Sequence, residues 1–259
     1  MTFFQKVNVY IFSFLVLFAV VFSYLINSQV IKRSEKPWHL QPSINADSLT
    51  AEYADVFELQ DRGNLYMRFM DSLRINVAVL VDAWGVPFEP QLLHEDFAVF
   101  SGLPHSVFLH RRLANRTRHA EFAELRIIAD SVIPNNGVYL FGGDSLEYGR
   151  NLYIDSLGYS QKFFCQKCAD SVMATKLDSL LVALVGDSAS LVKHIAWTTQ
   201  DSRDGDRTKL HATLRHIANI ARKHPETRFI VQGTHRPTLG DPKIRRESFA
   251  HWVPALVIN

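Results

Sequence analysis

Hydrophobic and polar positions follow three patterns along this chain. Residues 7–26 (VNVYIFSFLVLFAVVFSYLI) form a run without a single charged residue, long enough at about 1.5 Å per residue to cross a hydrocarbon core of about 30 Å. From Asp47 to Arg74, Leu49, Tyr53, Val56, Phe57, Leu65, Phe69 and Leu73 fall near helical spacing with a break at Gly63, which predicts one or two helices. Ile75–Val81 is then short, β-branched and almost wholly apolar, the pattern of a strand covered on both faces of a parallel sheet. The same form returns at Val138–Phe141, Gln161–Phe164, Val192–Trp197, Arg228–Val231 and Val253–Ile258. Between these runs, Leu146–Leu157, Ala169–Leu184 and Lys209–Lys223 read as helices, the last with Leu210, Leu214, Ile217 and Ile220 in one stripe. Alternation of this kind predicts an α/β domain with a doubly wound, mostly parallel sheet.

Composition adds class and place. The 259 residues are 47% hydrophobic, which excludes a disordered chain, and the net charge of +2 offers no basic footprint for nucleic acid. The apolar run of residues 7–26 exceeds the h-region of a cleaved signal peptide (roughly 7–15 residues) and no A-x-A site follows it, so one uncleaved N-terminal transmembrane helix is expected. Lys6 precedes that run while Lys32 and Arg33 follow it, and counting charges does not fix the orientation. The expected organisation is an anchor over 1–33, a linker over 34–46 marked by Pro37 and Pro42, and a globular domain over 47–259.

Ligands of open α/β sheets bind beyond the carboxyl ends of the strands. The residues there are Asp82, the stretch from Phe97 to Pro104, Gly142-Gly143-Asp144, Thr198 to Asp206, and Thr234-His235. Carboxylates and imidazoles on separate strand ends are what a divalent metal site requires. The structural alternative is that Asp82 caps a turn and His235 makes an ordinary surface contact.

Taken in order, Asp82-Ala83-Trp84-Gly85, Asp96-Phe97 through Ser101-Gly102-Leu103-Pro104, Tyr139 through Asp144, Leu157-Gly158-Tyr159, Val231-Gln232-Gly233-Thr234-His235-Arg236-Pro237 and Val253 through Ile258 resemble the alkaline phosphatase and sulfatase superfamily. The resemblance points to its membrane-anchored branch of lipoteichoic acid synthase-like and phosphoethanolamine transferase-like enzymes. It implies an alkaline phosphatase-like fold, a zinc or manganese site, and a Thr, Ser or modified Cys that attacks phosphorus or sulfur. Carried over by motif, Asp82 matches the first acidic ligand and His235 the histidine of the family's Gly-Asp-His, in which Thr234 stands for the aspartate. The nucleophile is expected just before the Glu-Phe-type match at Asp96-Phe97, where the chain has Leu92 and Leu93, and the loop after Trp197 lacks the family's histidine.

These departures lead to the expectation of a degenerate member: a sulfatase-like pseudoenzyme, without cofactor, serving as a non-catalytic component of a cell-envelope assembly. The alternative is an active zinc- or manganese-dependent phospho- or sulfo-transferase or hydrolase. For displaced chemistry the substitutes are Ser101 and His94, with Asp201, Asp204 and Asp206 as replacement carboxylates, and Asp201 and Trp84 as substrate contacts. Cys165 and Cys168 are open to a local disulfide or to two reduced thiols. Asn115-Arg116-Thr117 fits a glycosylation sequon of the kind met by chance, and His110–His119 reads as a solvated basic face or a lipid-headgroup contact. The expected partners are the membrane, an envelope-assembly protein, and a glycan or phospholipid headgroup. The expected location is the plasma (inner) membrane, with the domain on its extracytoplasmic side.

Overall fold

Every residue of Asn76–Val81 (β2) is buried, and its side chains alternate between two cores. Val77, Val79 and Val81 enter one, Ala78 and Leu80 the other, as the two-residue period of a strand requires when both faces are covered. The computed structural model describes residues 16–18, 49, 51–60, 64–112, 116–126, 136–186, 190–237 and 247–259. Residues 46–259 form one compact unit, and Met1–Asn45 another, of which only the helical residues 16–18 are described. The anchor expected over 1–33 lies otherwise outside the described residues, as does the linker. Among the described residues, no helix is long and apolar enough to cross a membrane.

Eight strands make one sheet. Besides β2 they are Glu58–Gln60 (β1), His105–Arg111 (β3), Gly137–Phe141 (β4), Tyr159–Phe164 (β5), His194–Thr198 (β6), Arg228–Gly233 (β7) and Trp252–Ile258 (β8). Their spatial order is β1-β3-β8-β7-β2-β6-β4-β5. All run parallel except β8, which lies antiparallel between β3 and β7. Pro254 is tolerated within β8 because pairing with β7 stops at Ala255, leaving no ladder donor to lose on that side.

The helices are Ala51–Val56 (α1), Leu65–Phe69 (α2), Pro90–Ala98 (α3), Thr117–Glu124 (α4), Arg150–Tyr153 (α5), Asp170–Gly186 (α6) and Arg207–Lys223 (α7). Helices α3, α6 and α7 cover one face through Leu93, Phe97, Met173, Leu177, Leu210 and Leu214; α2 and α5 pack on the other through Leu65, Tyr66 and Tyr153. Layers on both faces and a mostly parallel sheet agree with an alkaline phosphatase-like architecture.

Two strands escape the hydrophobic pattern. The stretch expected as helix over 47–74 contains β1, and β3 (HSVFLHR) carries polar ends, because it sits near the sheet edge and only Phe108, Leu109 and His110 are buried. The helix expected over 146–157 is instead α5 flanked by 3-10 turns, with Tyr148 in a left-handed conformation at φ 56°.

Candidate active site

The carboxyl ends of β2 and β7 are drawn together where neither chain has room for a side chain. A Cβ on Gly233 would stand 1.8 Å from the Trp84 carbonyl oxygen, and one on Gly85 would stand 2.7 Å from the Arg236 Cα. The turn between them is strained: Ala83 adopts φ 58°, a left-handed conformation that costs a residue with a Cβ about 1–2 kcal/mol. The Ala83 N–H donates to the Thr234 hydroxyl at 3.3 Å and the Thr234 N–H to the Val81 carbonyl at 3.0 Å, which holds the turn. The loop after β6 fixes Asp82 from the other side. Its N–H donates to the Thr199 hydroxyl at 3.1 Å, and the Ser202 hydroxyl donates to its carbonyl at 2.6 Å.

Around the Asp82 carboxylate the structure gathers Thr117, Thr234 and His235, all buried. Oδ1 accepts from the Thr234 hydroxyl at 2.9 Å and from the Thr117 hydroxyl at 3.2 Å, and lies 3.3 Å from His235 Nε2. Thr117 Oγ1 is also 3.1 Å from His235 Nε2. His235 Nδ1 faces the Arg236 carbonyl at 2.8 Å. A carbonyl only accepts, so Nδ1 carries a proton, and the other ring nitrogen, Nε2, faces the Thr117 hydroxyl and the Asp82 carboxylate. Thr117 opens α4, whose N-cap Arg116 makes no side-chain capping bond.

One turn further along α4, Glu121 is fully buried and accepts from Arg150 Nε at 3.0 Å, the Tyr139 hydroxyl at 2.8 Å and the Tyr153 hydroxyl. Arg150 lies 3.6 Å above the Phe141 ring. Burial, and then the Glu121 charge, hold the Tyr139 and Tyr153 hydroxyls well above the ordinary tyrosine range, so both remain donors. This buried network fixes the helix that carries Thr117.

Thr117 is the residue that the sequence pattern missed. Leu93 is buried in the core on α3, and Asp96, the expected Glu-Phe-type match, is a fully buried structural carboxylate. It accepts from Trp84 Nε1 at 2.9 Å, Arg207 Nη2 at 2.6 Å and His211 Nε2 at 2.8 Å. A second Glu-Phe pair, Glu121-Phe122, lies on the helix that Thr117 opens, four residues after it, and is the signal available in the sequence. Thr117 stands 35 positions after Asp82, against ten for Leu92.

The other candidate residues are used elsewhere. His94 is exposed and its ring packs on Phe57, and Ser101 is exposed in the turn after α3. The Asp201 carboxylate accepts the Asp170 N–H at 2.9 Å, Asp204 pairs with Lys209, and Asp206 caps α7; none of the three replaces a missing carboxylate at Asp82. Trp84 lines an open cleft beside the cluster with Leu92, Ser202, Arg207, Glu247 and Ser248. Cys165 and Cys168 pair as a disulfide, and the Gln200 amide bridges the carbonyls of Cys168 and Gly142. In the basic run, Arg116 and Arg118 are exposed, whereas His110 is buried 3.1 Å from Glu124, so the stretch is not one solvated face. Asn115 of the sequon lies outside the described residues.

An alkaline phosphatase-like fold implies a divalent metal. Asp82 Oδ1, Thr117 Oγ1 and His235 Nε2 form a triangle with edges of 3.1–3.3 Å, close to the spacing around tetrahedral zinc with bonds of about 2.0 Å. The donor set nevertheless does not fit such an ion. It holds one carboxylate, and the Thr234 hydroxyl spends its proton on Asp82, so too little negative charge faces a cation to offset its dehydration. Among the described residues, no three His, Cys, Asp or Glu side chains gather as a metal site.

No protein-family model matches the chain, and no curated protein matches it in sequence. Solved structures with a similar backbone include the lipoteichoic acid synthase LtaP from Listeria monocytogenes, at 8% identity and a TM-score of 0.46 over 71% of this chain and 65% of that one. The Streptococcus pyogenes phosphoglycerol transferase GacH, in complex with sn-glycerol-1-phosphate, aligns at 11% identity and 0.46 over 76% and 69%. The C-terminal periplasmic domain of EcEptC from Escherichia coli, in complex with Zn, aligns at 10% and 0.46 over 72% of each. The chain spans just under two thirds of the Listeria protein's length. At these scores residue roles rest on this chain's own geometry.

Proposed function

We propose that this domain handles a phosphate or sulfate ester of a cell-envelope polymer or lipid headgroup, with Thr117 as its nucleophile. The observation that carries the proposal is the Thr117 hydroxyl at the start of α4, within 3.2 Å of both His235 Nε2 and Asp82 Oδ1. This is a nucleophile, a base and a carboxylate that steadies the charged base. The Thr117 hydroxyl turns from Asp82 Oδ1 to His235 Nε2, and its proton passes to that nitrogen as Oγ1 attacks phosphorus or sulfur; the bond to the leaving oxygen breaks, and the imidazolium returns the proton to that oxygen. Asp82 stays ionised throughout and stabilises the imidazolium. Water or an acceptor hydroxyl then releases the ester from Thr117 by the reverse sequence. The order of motifs supports the envelope assignment and, with it, the extracytoplasmic side, and the uncharged run of residues 7–26 supports a tether to the plasma membrane.

The test is covalent. Incubation with a p-nitrophenyl phosphodiester or sulfate ester, acid quenching and peptide mass spectrometry should locate the adduct on Thr117. Thr117→Ala should abolish it and lower turnover by about a thousandfold or more. A stable, wild-type-folded domain with neither adduct nor turnover would support the second reading, a non-catalytic binder, which Thr234 in place of a second carboxylate favours.

A further inference from the structure

Arg112 and Arg236 stand unaccounted for beside this cluster. Since β8 is antiparallel to both β3 and β7, the carboxyl ends of β3 and β7 lie on the same edge of the sheet. Arg112 follows β3 and is held there by its N–H bond to the His251 carbonyl at 3.0 Å; Arg236 follows His235 and lies against Gly85. Arg112 Nε and Nη1 are buried and have no hydrogen-bond partner. Burial, and then the charge of Arg236, bring the Arg112 guanidinium down to about 10 from its ordinary value, as befits two cations facing one another. Unpaired buried donors of this kind mark a place where a group is missing. Thr117 begins α4 five residues after Arg112, and its hydroxyl belongs to the cluster at the carboxyl end of β7, the same end of the sheet that carries both arginines.

We propose that Arg112 and Arg236 form a metal-independent site for the tetrahedral oxyanion of the ester that Thr117 attacks. The two guanidiniums supply the positive charge that the Asp82, Thr234 and His235 set does not recruit as a divalent ion. Two arginines against one Asp82 carboxylate leave a single positive charge, which matches a monoanionic group, a phosphodiester or a sulfate monoester, better than a dianionic phosphomonoester. The inference rests on the Thr117 reading for its substrate but not for its binding step.

The experiment is calorimetric titration of the full chain, in detergent and excess EDTA, with dimethyl phosphate, methyl sulfate and inorganic phosphate, repeated on Arg112→Gln, Arg236→Gln and the charge-preserving Arg112→Lys. Wild type should bind the two monoanions in EDTA more tightly than inorganic phosphate, which separates diester and sulfate sources from a phosphomonoester. Each Gln variant should weaken binding about tenfold, Arg112→Lys should recover part of it, and added salt should weaken all of it. Binding that appears only with added zinc or manganese, or that is unchanged in both Gln variants of wild-type melting temperature, would overturn the guanidinium site while leaving a Thr117 adduct intact. Binding in EDTA without any Thr117 adduct would sustain the site and overturn the nucleophile.

Discussion

Asp82 and Asp96 are buried carboxylates placed on either side of the same Trp84 turn, and their neighbours are of opposite kinds. Asp96 is held by an indole, a guanidinium and an imidazole edge, which fill its lone pairs and tie α3 to α7. Asp82 is held by two hydroxyls and lies against the Nε2 edge of an imidazole, groups whose protons can change hands. A carboxylate surrounded by fixed donors is a rivet. One surrounded by exchangeable donors can serve a reaction, and that distinction lies in the partners rather than in burial, which the two share.

Paired substitutions break or sharpen this contrast. Asp96→Asn should lower stability by about 3–4 kcal/mol, since it leaves Arg207 and His211 without their counter-charge, and chemical denaturation reads this directly. Asp82→Asn should abolish the Thr117 adduct at a much smaller cost in unfolding free energy. Equal losses of stability in the two variants would erase the distinction.

A third carboxylate separates burial from pairing. Asp170 is pushed up to about 6, first by burial and then by the Asp201 charge beside it. Because its folded pKa exceeds its unfolded one, the native state retains a proton that the unfolded chain has released. Its stabilising contribution is therefore complete below about pH 4 and is lost as the pH rises through about 6, a change of at most about 2–3 kcal/mol. Urea midpoints measured across that window should fall with pH in wild type and flatten in Asp170→Asn.

Thr234→Asp, which gives the Asp82 set a second anionic ligand, should raise zinc affinity about tenfold or more in chelator competition. No gain would mean that the Thr234 side chain is not aimed as a ligand. The smallest effect belongs to a half-buried carboxylate: Asp206→Ala removes the cap on the Thr208 and Lys209 amides and should cost about 1 kcal/mol, with the adduct unchanged.

The central sheet is legible in the sequence because β2, β4, β6 and β7 are covered on both faces, so their apolar runs are nearly continuous. The strands near the edge are not. His105, Ser106 and His110 dilute the pattern of β3, and β1 is three residues long inside an apparently helical stretch. With β3 hidden, the segment from Arg112 to Thr117 has no visible strand end to mark it. Asp82, Thr234 and His235 stand directly at strand ends, whereas Thr117 stands at the start of a helix that no apolar strand pattern precedes in the sequence. Asp96-Phe97 passes for the Glu-Phe motif because an acidic residue before phenylalanine in a helix looks the same whether its carboxylate supports Thr117 or clamps Trp84.

Strand β8 comes last of all the strands in sequence, yet it is the bridge between β3 and β7. A chain emerging from the ribosome or a translocation channel can build β2, β6, β4 and β5 early, but β3, and with it the segment leading to Thr117, has no seat beside β7 until residues 252–258 arrive. Until then the edge of β7 is an open template for any extended chain nearby. Completion of this sheet therefore waits on β8, and the site is assembled only as the exposed edge of β7 is covered.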